Sequence, residues 1–320
     1  MCSSENTSSE KNASLFQVRA LRGGHSMEVK KIFVAGAGFM GGGIAQVCAQ
    51  AGYNVVMQDL TDEIVRKGLE AIRWSVGKFV EKGKVSGTAE EIVGRIQPTT
   101  NLSLAKDSDF VFEAIIENLD AKKKLFSELD GICPAHTIFA SNSSAIPITD
   151  IAEATKRRSQ TVGTHFFSPV PMMKIVEIVR GLLTSDETMD IADQLAQSLG
   201  KETIRVNRDV AGFALNRINL PGTVEAIKLV EAGVVSVEDV DKGMRLGFGR
   251  PMGPLEMSDM SGLEIGFNAM TAIYKETQDE KFHPPMLLQR KVKMGQLGRK
   301  TRIGWYKYDE KGNKIGPADK

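Results

Sequence analysis

The sequence predicts an α/β protein: a doubly wound, mostly parallel sheet followed by an all-α C-terminal domain. Short apolar runs alternate with amphipathic segments from Lys30 to Val206, as expected when helices cover both faces of a parallel sheet. A glycine-rich turn joins the first apolar run to the first amphipathic segment. Runs of the strand type stop near Gly212, and a chain of 320 residues is long enough for two domains.

Seven predicted strands form the sheet. Each is a run of four to seven mostly apolar residues, which is typical of strands that are buried on both faces. They are Lys31–Gly36, Asn54–Asp59, Phe110–Ile115, Thr137–Ala140, Thr161–Phe167, Lys174–Val179 and Thr203–Val206.

Helical periodicity fills most of the remaining chain. Gly42–Ala51 follows the first strand, and Ile64–Ile96 is a long charged segment with one apolar stripe. A break at Gly83–Thr88 makes that segment a helical hairpin inserted between strands. After Gly212, Phe213–Glu231 predicts a long helix, and two segments resemble capping-box helix starts. They are Ser236–Asp239 and Ser261–Glu264.

The bulk composition excludes several classes of protein. The 41 basic and 40 acidic residues nearly cancel, so no broad positive field favours nucleic acid or an anionic membrane. Cys2, Cys48 and Cys133 lack metal-site spacing, so we expect no disulfide framework and no bound metal. No apolar run approaches the roughly 20 residues that span a bilayer.

The pattern of predicted strands and helices sets the expected domain boundaries. We expect a disordered extension at 1–27, a nucleotide-binding domain at 28–211, a helical domain at 212–310 and a tail at 311–320. Cytoplasmic location is the expectation. Residues 15–22 are weakly amphipathic and basic, so an organellar presequence stays open as an alternative, although Glu5 and Glu10 argue against it.

The glycine-rich turn predicts a dinucleotide site. Gly36-Ala37-Gly38-Phe39-Met40-Gly41 has the G-x-G-x-x-G spacing between a strand and a helix. Such glycines allow a tight turn, close approach of the backbone to a pyrophosphate, and close packing of helix on strand. Asp59 ends the next strand, where an acid binds the ribose 2′-hydroxyl and repels a 2′-phosphate. The sequence therefore predicts a Rossmann-type domain that binds NAD.

A histidine and a glutamate form the second group of candidate residues. His165 lies near the end of one predicted strand and Glu177 within the next, with a two-proline turn between them. Such a return can place a carboxylate beside an imidazole, as a general base requires. Judged by spacing alone, a partly buried histidine with an unrelated acid twelve residues away is the better interpretation.

Several motifs taken together resemble the L-3-hydroxyacyl-CoA dehydrogenase family, most of all its short bacterial 3-hydroxybutyryl-CoA dehydrogenases. The resemblance runs from about Lys30 to Tyr308. The motifs are Ser141-Asn142-Ser143-Ser144, the segment from His165 to Glu177, Gly212-Phe213-Ala214-Leu215-Asn216-Arg217, Pro251-Met252-Gly253-Pro254-Leu255-Glu256 and Leu297-Gly298-Arg299-Lys300.

The resemblance implies roles for individual residues. His165 would be the catalytic base and Glu177 its orienting partner, while Ser144 and Asn216 would bind the reacting oxygen. Ser144 would also line the cofactor and substrate sites. Other positions that match cofactor contacts are Phe39, Met40, Glu117, Lys122, Asn142, Ser168 and Lys300.

The chain departs from the family pattern at two positions. Ser168 stands where the family usually has asparagine. Gly77 stands where the family has a lysine that meets the CoA phosphates. Lys78 and Lys82 are the candidates for that role, and a solvated basic face fits them at least as well.

The expected activity is NAD-dependent interconversion of a (S)-3-hydroxyacyl-CoA, above all 3-hydroxybutyryl-CoA, with its 3-oxoacyl-CoA, in a homodimer. Two alternatives stay open. One is a CoA-independent 3-hydroxyacid or L-gulonate dehydrogenase of the lambda-crystallin type. The other is a non-catalytic NAD-binding structural protein.

Overall fold

The computed structural model describes residues 28–318. The chain divides into two compact units: the first contains 148–208 and the residues up to Ser143, and the second contains 144–147 and the residues from Asp209 onward. The extension expected at 1–27, with its alternative as a presequence, lies outside the described residues. No helix in the described part of the chain is long and apolar enough to cross a membrane.

A sheet of eight strands forms the centre of the first unit. The strands are β1 (Lys31–Ala35), β2 (Asn54–Gln58), β3 (Ile96–Thr99), β4 (Phe110–Glu113), β5 (Ile138–Ser141), β6 (Thr161–Phe166), β7 (Ile175–Val179) and β8 (Glu202–Val206). Their order is β3-β2-β1-β4-β5-β6-β7-β8, and every neighbouring pair is parallel except β6 with β7. The central strands are buried throughout, which explains their continuous apolar sequences.

The order of the strands locates the expected ligand site. From β1 the chain moves to β2 on one side and later to β4 on the other. Open α/β sheets bind ligands beyond the carboxyl ends of the strands at this point of reversal. The first and fourth strands therefore border the nucleotide site that the glycine-rich turn predicts.

Helices cover the sheet of the first unit. They are α1 (Phe39–Gln50), α2 (Asp62–Glu81), α3 (Ala89–Val93), α4 (Leu119–Ile132), α5 (Ile148–Ala152) and α6 (Asp186–Ser198). Side chains of α1, α2 and α6 share one apolar core with the sheet, including Ile44, Ile72 and Leu195. The predicted doubly wound architecture is confirmed.

The inserted helical hairpin differs from the prediction at its end. Helices α2 and α3 are present, with the break at 82–88, but Ile96 begins strand β3 and does not end a helix. Strand β3 lies at the sheet edge, where Gln97 and Pro98 are exposed. An edge strand tolerates proline and needs no apolar run, so its sequence carries little strand signal.

The second unit is mainly helical, as predicted. Its helices are α7 (Leu215–Glu231), α8 (Val237–Phe248), α9 (Pro254–Ser261), α10 (Leu263–Thr277) and α11 (Met286–Lys293). The predicted helix start at Ser236 is confirmed, because its side chain accepts a hydrogen bond from the Asp239 N–H. A helix also begins within 261–264, at Leu263, but the capping role predicted for Ser261 is wrong: Gly262 caps α10, and the Ser261 hydroxyl donates to carbonyls in α9.

A β-hairpin follows the helices, which the prediction of an all-α domain with a tail at 311–320 did not include. Its strands are β9 (Tyr306–Tyr308) and β10 (Lys314–Pro317). The buried Asp259 carboxylate accepts the N–H groups of Trp305 and Tyr306 and the Tyr308 hydroxyl. This hairpin therefore depends on a distant carboxylate as well as on its own short strands.

A second buried carboxylate explains the motif at 251–256. Asp241 accepts the N–H groups of Leu255 and Glu256 at the start of α9. A Cβ on Gly253 would lie 2.2 Å from an Asp241 oxygen, and a Cβ on Gly304 would lie 2.0 Å from an Asp259 oxygen. Packing against a buried acid therefore requires glycine at 253 and at 304, and the motif at 251–256 stabilises the second unit.

Candidate active site

The glycine-rich turn lies between β1 and α1. Gly36 has φ +108°, and a Cβ there would lie 2.5 Å from the Ala114 carbonyl oxygen; a Cβ on Gly41 would lie 1.9 Å from the Gly36 oxygen. A Cβ on Gly38 would meet nothing within 4 Å. Packing within the protein therefore excludes side chains at Gly36 and Gly41, whereas Gly38 leaves open space for a ligand.

The first turn of α1 suits an anion. Gly38 caps the helix, no side chain accepts its first N–H groups, and the first turn contains no acidic residue. The N–H groups of Phe39, Met40 and Gly41 belong to this turn. Uncapped N–H groups and the positive end of the helix dipole favour a phosphate. The residues thus fit the pyrophosphate of a dinucleotide.

Asp59 closes the same turn from the end of β2. Its Oδ2 accepts the N–H of Ala37 at 2.7 Å, and its Oδ1 accepts the N–H of Leu60 at 2.7 Å. Each carboxylate oxygen can accept more than one hydrogen bond, so Asp59 can hold the turn and still accept a ribose hydroxyl. Its negative charge opposes a 2′-phosphate, which fits NAD better than NADP.

An ion-pair network lies at the ends of β4 and β5. The ammonium of Lys122, in the first turn of α4, is buried and lies 2.6 Å from Glu113 and 3.3 Å from Glu117. Glu113 also accepts the Ser141 hydroxyl, and Glu117 accepts the Ser143 hydroxyl at 2.5 Å. The Lys122 ammonium is thus enclosed by protein carboxylates, which suits a residue that positions the loop at 114–118.

Asn142 connects the end of β5 to β6. Its side-chain oxygen accepts the N–H of Phe166 at 2.9 Å, and its own N–H donates to the Glu113 carbonyl. Phe166 follows His165 directly. Asn142 therefore helps to fix the strand end that carries the histidine.

His165 and Glu177 are directly opposite each other on the antiparallel strands β6 and β7. His165 Nδ1 lies 2.6 Å from Glu177 Oε2, and both side chains are buried, with 5% and 0% of their surface exposed. The structure thus brings the two residues together and gives the histidine a fixed orientation. This is the geometry of a base with an orienting carboxylate.

The other site residues from sequence lie in different places. Ser144 and Asn216 belong to the second unit, where Asn216 Nδ2 donates to the Ser144 carbonyl at 3.4 Å. Lys300 is also in that unit and pairs with Glu264. Ser168 precedes Pro169 in a cis peptide bond within the turn between β6 and β7.

The two candidate CoA lysines lie at the end of α2. Lys78 is exposed and pairs with Glu81 at 2.8 Å, while Lys82 caps the helix. A Cβ on Gly77 would meet nothing within 4 Å, so packing does not require a glycine there.

No group of three His, Cys, Asp or Glu side chains within 28–318 could hold a metal ion.

Sequence analysis missed two buried residues near these groups. Glu113 is 0% exposed and joins α4 to β4 and β5, and Lys201 donates to the Val170 and Met173 carbonyls in the turn between β6 and β7. A charged residue inside an apolar run was the available signal for Glu113. Lys201 follows a glycine at a helix end, and no pattern distinguishes it from a surface lysine.

The dinucleotide-binding fold and the pair of His165 and Glu177 define the class of protein, a dinucleotide-dependent dehydrogenase. Comparisons with known proteins identify its family. The family model described as "3-hydroxyacyl-CoA dehydrogenase, NAD binding domain" matches residues 31–210, and the model for the C-terminal domain matches 212–308. The chain therefore belongs to the 3-hydroxyacyl-CoA dehydrogenase family, and it is an NAD-dependent enzyme.

Individual relatives agree with this assignment. A Bacillus subtilis protein named "Probable 3-hydroxybutyryl-CoA dehydrogenase" is 45% identical, over 89% of this chain and 99% of the relative. The 3-hydroxybutyryl-CoA dehydrogenase of Clostridioides difficile is 41% identical, over 88% and 100%. The crystal structure of (S)-3-hydroxybutyryl-CoA dehydrogenase from Ralstonia eutropha superposes with a TM-score of 0.82 at 41% identity, covering 88% of this chain and 100% of that one.

Proposed function

We propose that this enzyme interconverts (S)-3-hydroxybutyryl-CoA and acetoacetyl-CoA. The observation that carries the proposal is the buried pair of His165 Nδ1 and Glu177 Oε2, 2.6 Å apart. An imidazole held by a buried carboxylate is suited to move the proton of a secondary alcohol. The four-carbon acyl chain is inferred from the names of the relatives from B. subtilis and R. eutropha.

The proton chemistry belongs to His165. NAD, when bound, supplies the carbon that accepts hydride from the substrate. Glu177 accepts the hydrogen on Nδ1, so Nε2 is the ring nitrogen that takes the 3-hydroxyl proton during oxidation. The carboxylate then stabilises the positive ring. In the reducing direction Nε2 returns the proton to the substrate oxygen.

Ser144 and Asn216 are assigned as donors to the reacting oxygen, in agreement with the family resemblance. Hydrogen bonds directed at an oxygen that gains negative charge contribute strongly to catalysis. The bond from Asn216 Nδ2 to the Ser144 carbonyl links the two residues within the second unit. Ser144 also follows Asn142 and Ser143, both of which are bonded into the end of the sheet.

The cofactor is assigned to the carboxyl-end edge of the sheet. The turn at Gly36, Gly38 and Gly41, with the N–H groups of Phe39 and Met40, would hold the pyrophosphate, and Asp59 the adenine ribose. Glu117 and Asn142 would position the nicotinamide half, with Lys122 acting through Glu117, to which it is ion-paired. Ser168 and Lys300 are assigned as further contacts.

The decisive experiment compares initial rates with acetoacetyl-CoA and longer 3-oxoacyl-CoAs, using NADH and NADPH. We expect the four-carbon thioester with NADH to be preferred. His165→Gln should bind NADH and lose turnover, whereas His136→Gln, an exposed histidine paired with Asp109, should remain active. If free 3-hydroxybutyrate or L-gulonate were turned over faster than the CoA thioester, the enzyme would be a CoA-independent dehydrogenase. If the protein bound NADH but turned over no substrate, it would be a structural protein.

The second unit is proposed to form a homodimer. Large apolar side chains on its helices are 56–80% exposed, namely Ile218, Leu246, Phe248 and Ile265. Several exposed large apolar side chains in one unit support an interface, because solvent-exposed apolar surface is typical of such sites. Phe248→Glu should shift the sedimenting species from dimer to monomer, whereas Leu182→Glu, at an exposed position of the first unit, should not. A monomeric wild-type protein would contradict the proposal.

A cytoplasmic location is proposed. It is supported by Glu5 and Glu10 in the first 27 residues, because transit peptides are poor in acids. N-terminal sequencing of the protein from its native cells tests this, and a start that follows removal of the leader would instead indicate an organelle.

A further inference from the structure

The turn at 167–174 joins β6 to β7, with His165 shortly before it and Glu177 shortly after it. Its first residue contacts the histidine: the centre of the Phe167 ring lies 4.5 Å from the centre of the His165 ring, with an angle of 51° between the two planes. A change in the path of this turn would therefore move a side chain that packs against the imidazole.

The contacts within the turn hold it only in part. Among residues 167–174 Val170 alone is buried, and it packs on α1, where a Cβ on Gly43 would lie 2.9 Å from the Val170 Cβ. The N–H groups of Met172 and Met173 both donate to the Pro169 carbonyl. The carbonyls of Val170 and Met173 take their donors from outside the turn, because a buried carbonyl needs a hydrogen-bond partner.

Lys201 supplies the donor for both carbonyls. It lies between α6 and β8, and its ammonium donates to the Val170 carbonyl at 2.6 Å and to the Met173 carbonyl at 2.8 Å. The backbone next to it is fixed to the end of the turn, since the Glu202 N–H donates to the Lys174 carbonyl at 2.6 Å where β8 begins to pair with β7. One side chain thus ties two points of the turn to a strand of the sheet.

The charge of Lys201 makes a space-filling role a poor explanation. The residue is only 7% exposed, and within residues 28–318 no carboxylate forms an ion pair with it. A buried cation without a counter-charge is costly, so an apolar side chain would suit simple packing better. Hydrogen bonds from a charged donor are roughly twice as strong as neutral ones. The ammonium therefore provides strong bonds to a turn that has few bonds of its own.

We propose that Lys201 is a positioning residue for the proton-transfer step. By holding the turn at 167–174 it keeps Phe167 against the His165 ring. The ring then keeps Nδ1 directed at Glu177, which leaves Nε2 in place for the substrate hydroxyl. The inference rests on the proposed function, in which His165 is the base and Glu177 its orienting partner.

The first test separates proton transfer from binding. In Lys201→Met, which removes the donors and keeps the side chain unbranched, kcat for reduction of acetoacetyl-CoA should fall about tenfold, which corresponds to about 1.4 kcal/mol. KM for acetoacetyl-CoA should change by less than about twofold, since no binding group is removed. Lys201→Arg should recover at least half of the wild-type kcat, because it keeps a cation with several N–H donors. A cavity of about 550 Å³ beside Lys201 has room for the larger head group.

The second test is spectroscopic and needs no turnover. A hydrogen on Nδ1 that is bonded to a buried carboxylate gives a proton resonance far downfield, and its loss in His165→Gln assigns it. In folded Lys201→Met this resonance should shift or broaden, because the ring is no longer held in one orientation. In Lys201→Arg it should stay at its wild-type position.

Lys291→Met is the matched control. Lys291 is also buried, at 5% exposed, and its ammonium also donates to a backbone carbonyl, that of Gly304 at 3.0 Å in the second unit. This variant should lower the free energy of unfolding while kcat and the downfield resonance keep their wild-type values. If Lys201→Met does not fold, Lys201→Gln, with a shorter neutral side chain, takes its place in both measurements.

Four results would overturn the assignment: an unchanged kcat in the folded Lys201 variant, an unchanged resonance, a rise in KM alone, or an equal loss of kcat in Lys291→Met. A wild type without the downfield resonance would also contradict it, since no ordered hydrogen bond would exist for Lys201 to position. If the wild type showed the resonance but did not reduce acetoacetyl-CoA, the proposed function would fail. The resonance of Lys201→Met would then still decide for or against the positioning role.

Discussion

Replacing Glu177 by glutamine tests the role of the buried carboxylate at constant size. Two opposite unit charges about 4 Å apart attract by about 4 kcal/mol at the effective dielectric constant of about 20 that suits protein sites. The glutamine amide can still accept the Nδ1 hydrogen, a neutral hydrogen bond that retains about 1 kcal/mol of the original stabilisation. The imidazolium formed during oxidation should therefore lose about 2–3 kcal/mol, because Glu177 is fully buried and little screened by water.

That loss predicts a fall in kcat of about 30- to 160-fold, at about 1.4 kcal/mol for each factor of ten. The assay is the initial rate of NADH formation with saturating (S)-3-hydroxybutyryl-CoA and NAD, the direction in which the imidazolium forms, together with a fluorescence titration of NADH binding, which should not change. Glu202→Gln, an exposed acid at the start of the neighbouring strand β8, is the matched control. A Glu177→Gln enzyme that keeps at least half of its kcat, or one that loses only NADH affinity, would refute this reasoning.

Three further substitutions test the cofactor site and the stability of the two units. Asp59→Ser should weaken NADH binding and raise the use of NADPH relative to NADH, because the carboxylate that opposes a 2′-phosphate is removed; an unchanged ratio of the two kcat/KM values would count against it. Gly77→Ala should raise the free energy of unfolding by about 0.5–1 kcal/mol in urea titrations, since a Cβ there meets nothing within 4 Å in the middle of α2. Asp259→Asn should lower it by about 2–4 kcal/mol, because one of the two buried oxygens that accept the N–H groups of Trp305 and Tyr306 becomes an NH2 group that faces an N–H donor.

The stability difference at Asp259 should also depend on pH. Burial raises the pKa of the Asp259 carboxyl, so the folded protein holds this proton more tightly than the unfolded chain. The corresponding stabilisation is complete below the unfolded pKa of about 3.9 and is lost as pH rises through the folded value. In urea titrations over this pH range, the free energy of unfolding of the wild type should fall as pH rises. The fall should be smaller in Asp259→Asn. Equal slopes would mean that another group titrates.

The nucleotide-binding turn could be predicted because its signals are local. Gly36, Gly38 and Gly41 lie within six residues, and the strand and helix on either side have clear apolar periodicity. The same holds for the helix start at Ser236, where the capping side chain is three residues from its donor. Strand β3 could not be predicted, because a short polar strand at a sheet edge is stabilised by pairing with β2 and not by burial of its own side chains.

The amino-acid sequence by itself determined the alternation of strands and helices, the dinucleotide turn with Asp59, and the candidate His165 and Glu177. It left open whether that histidine and glutamate meet, since a twelve-residue separation is compatible with several registers and one slip would move Glu177 to the other face. Tertiary structure decided the register that brings them to 2.6 Å. It also decided that Lys122 is enclosed by Glu113 and Glu117, and that the buried Lys201 ammonium donates to the Val170 and Met173 carbonyls. Burial and charge balance depend on groups far apart in the chain, and for that reason they arise only when the strands and helices have packed together.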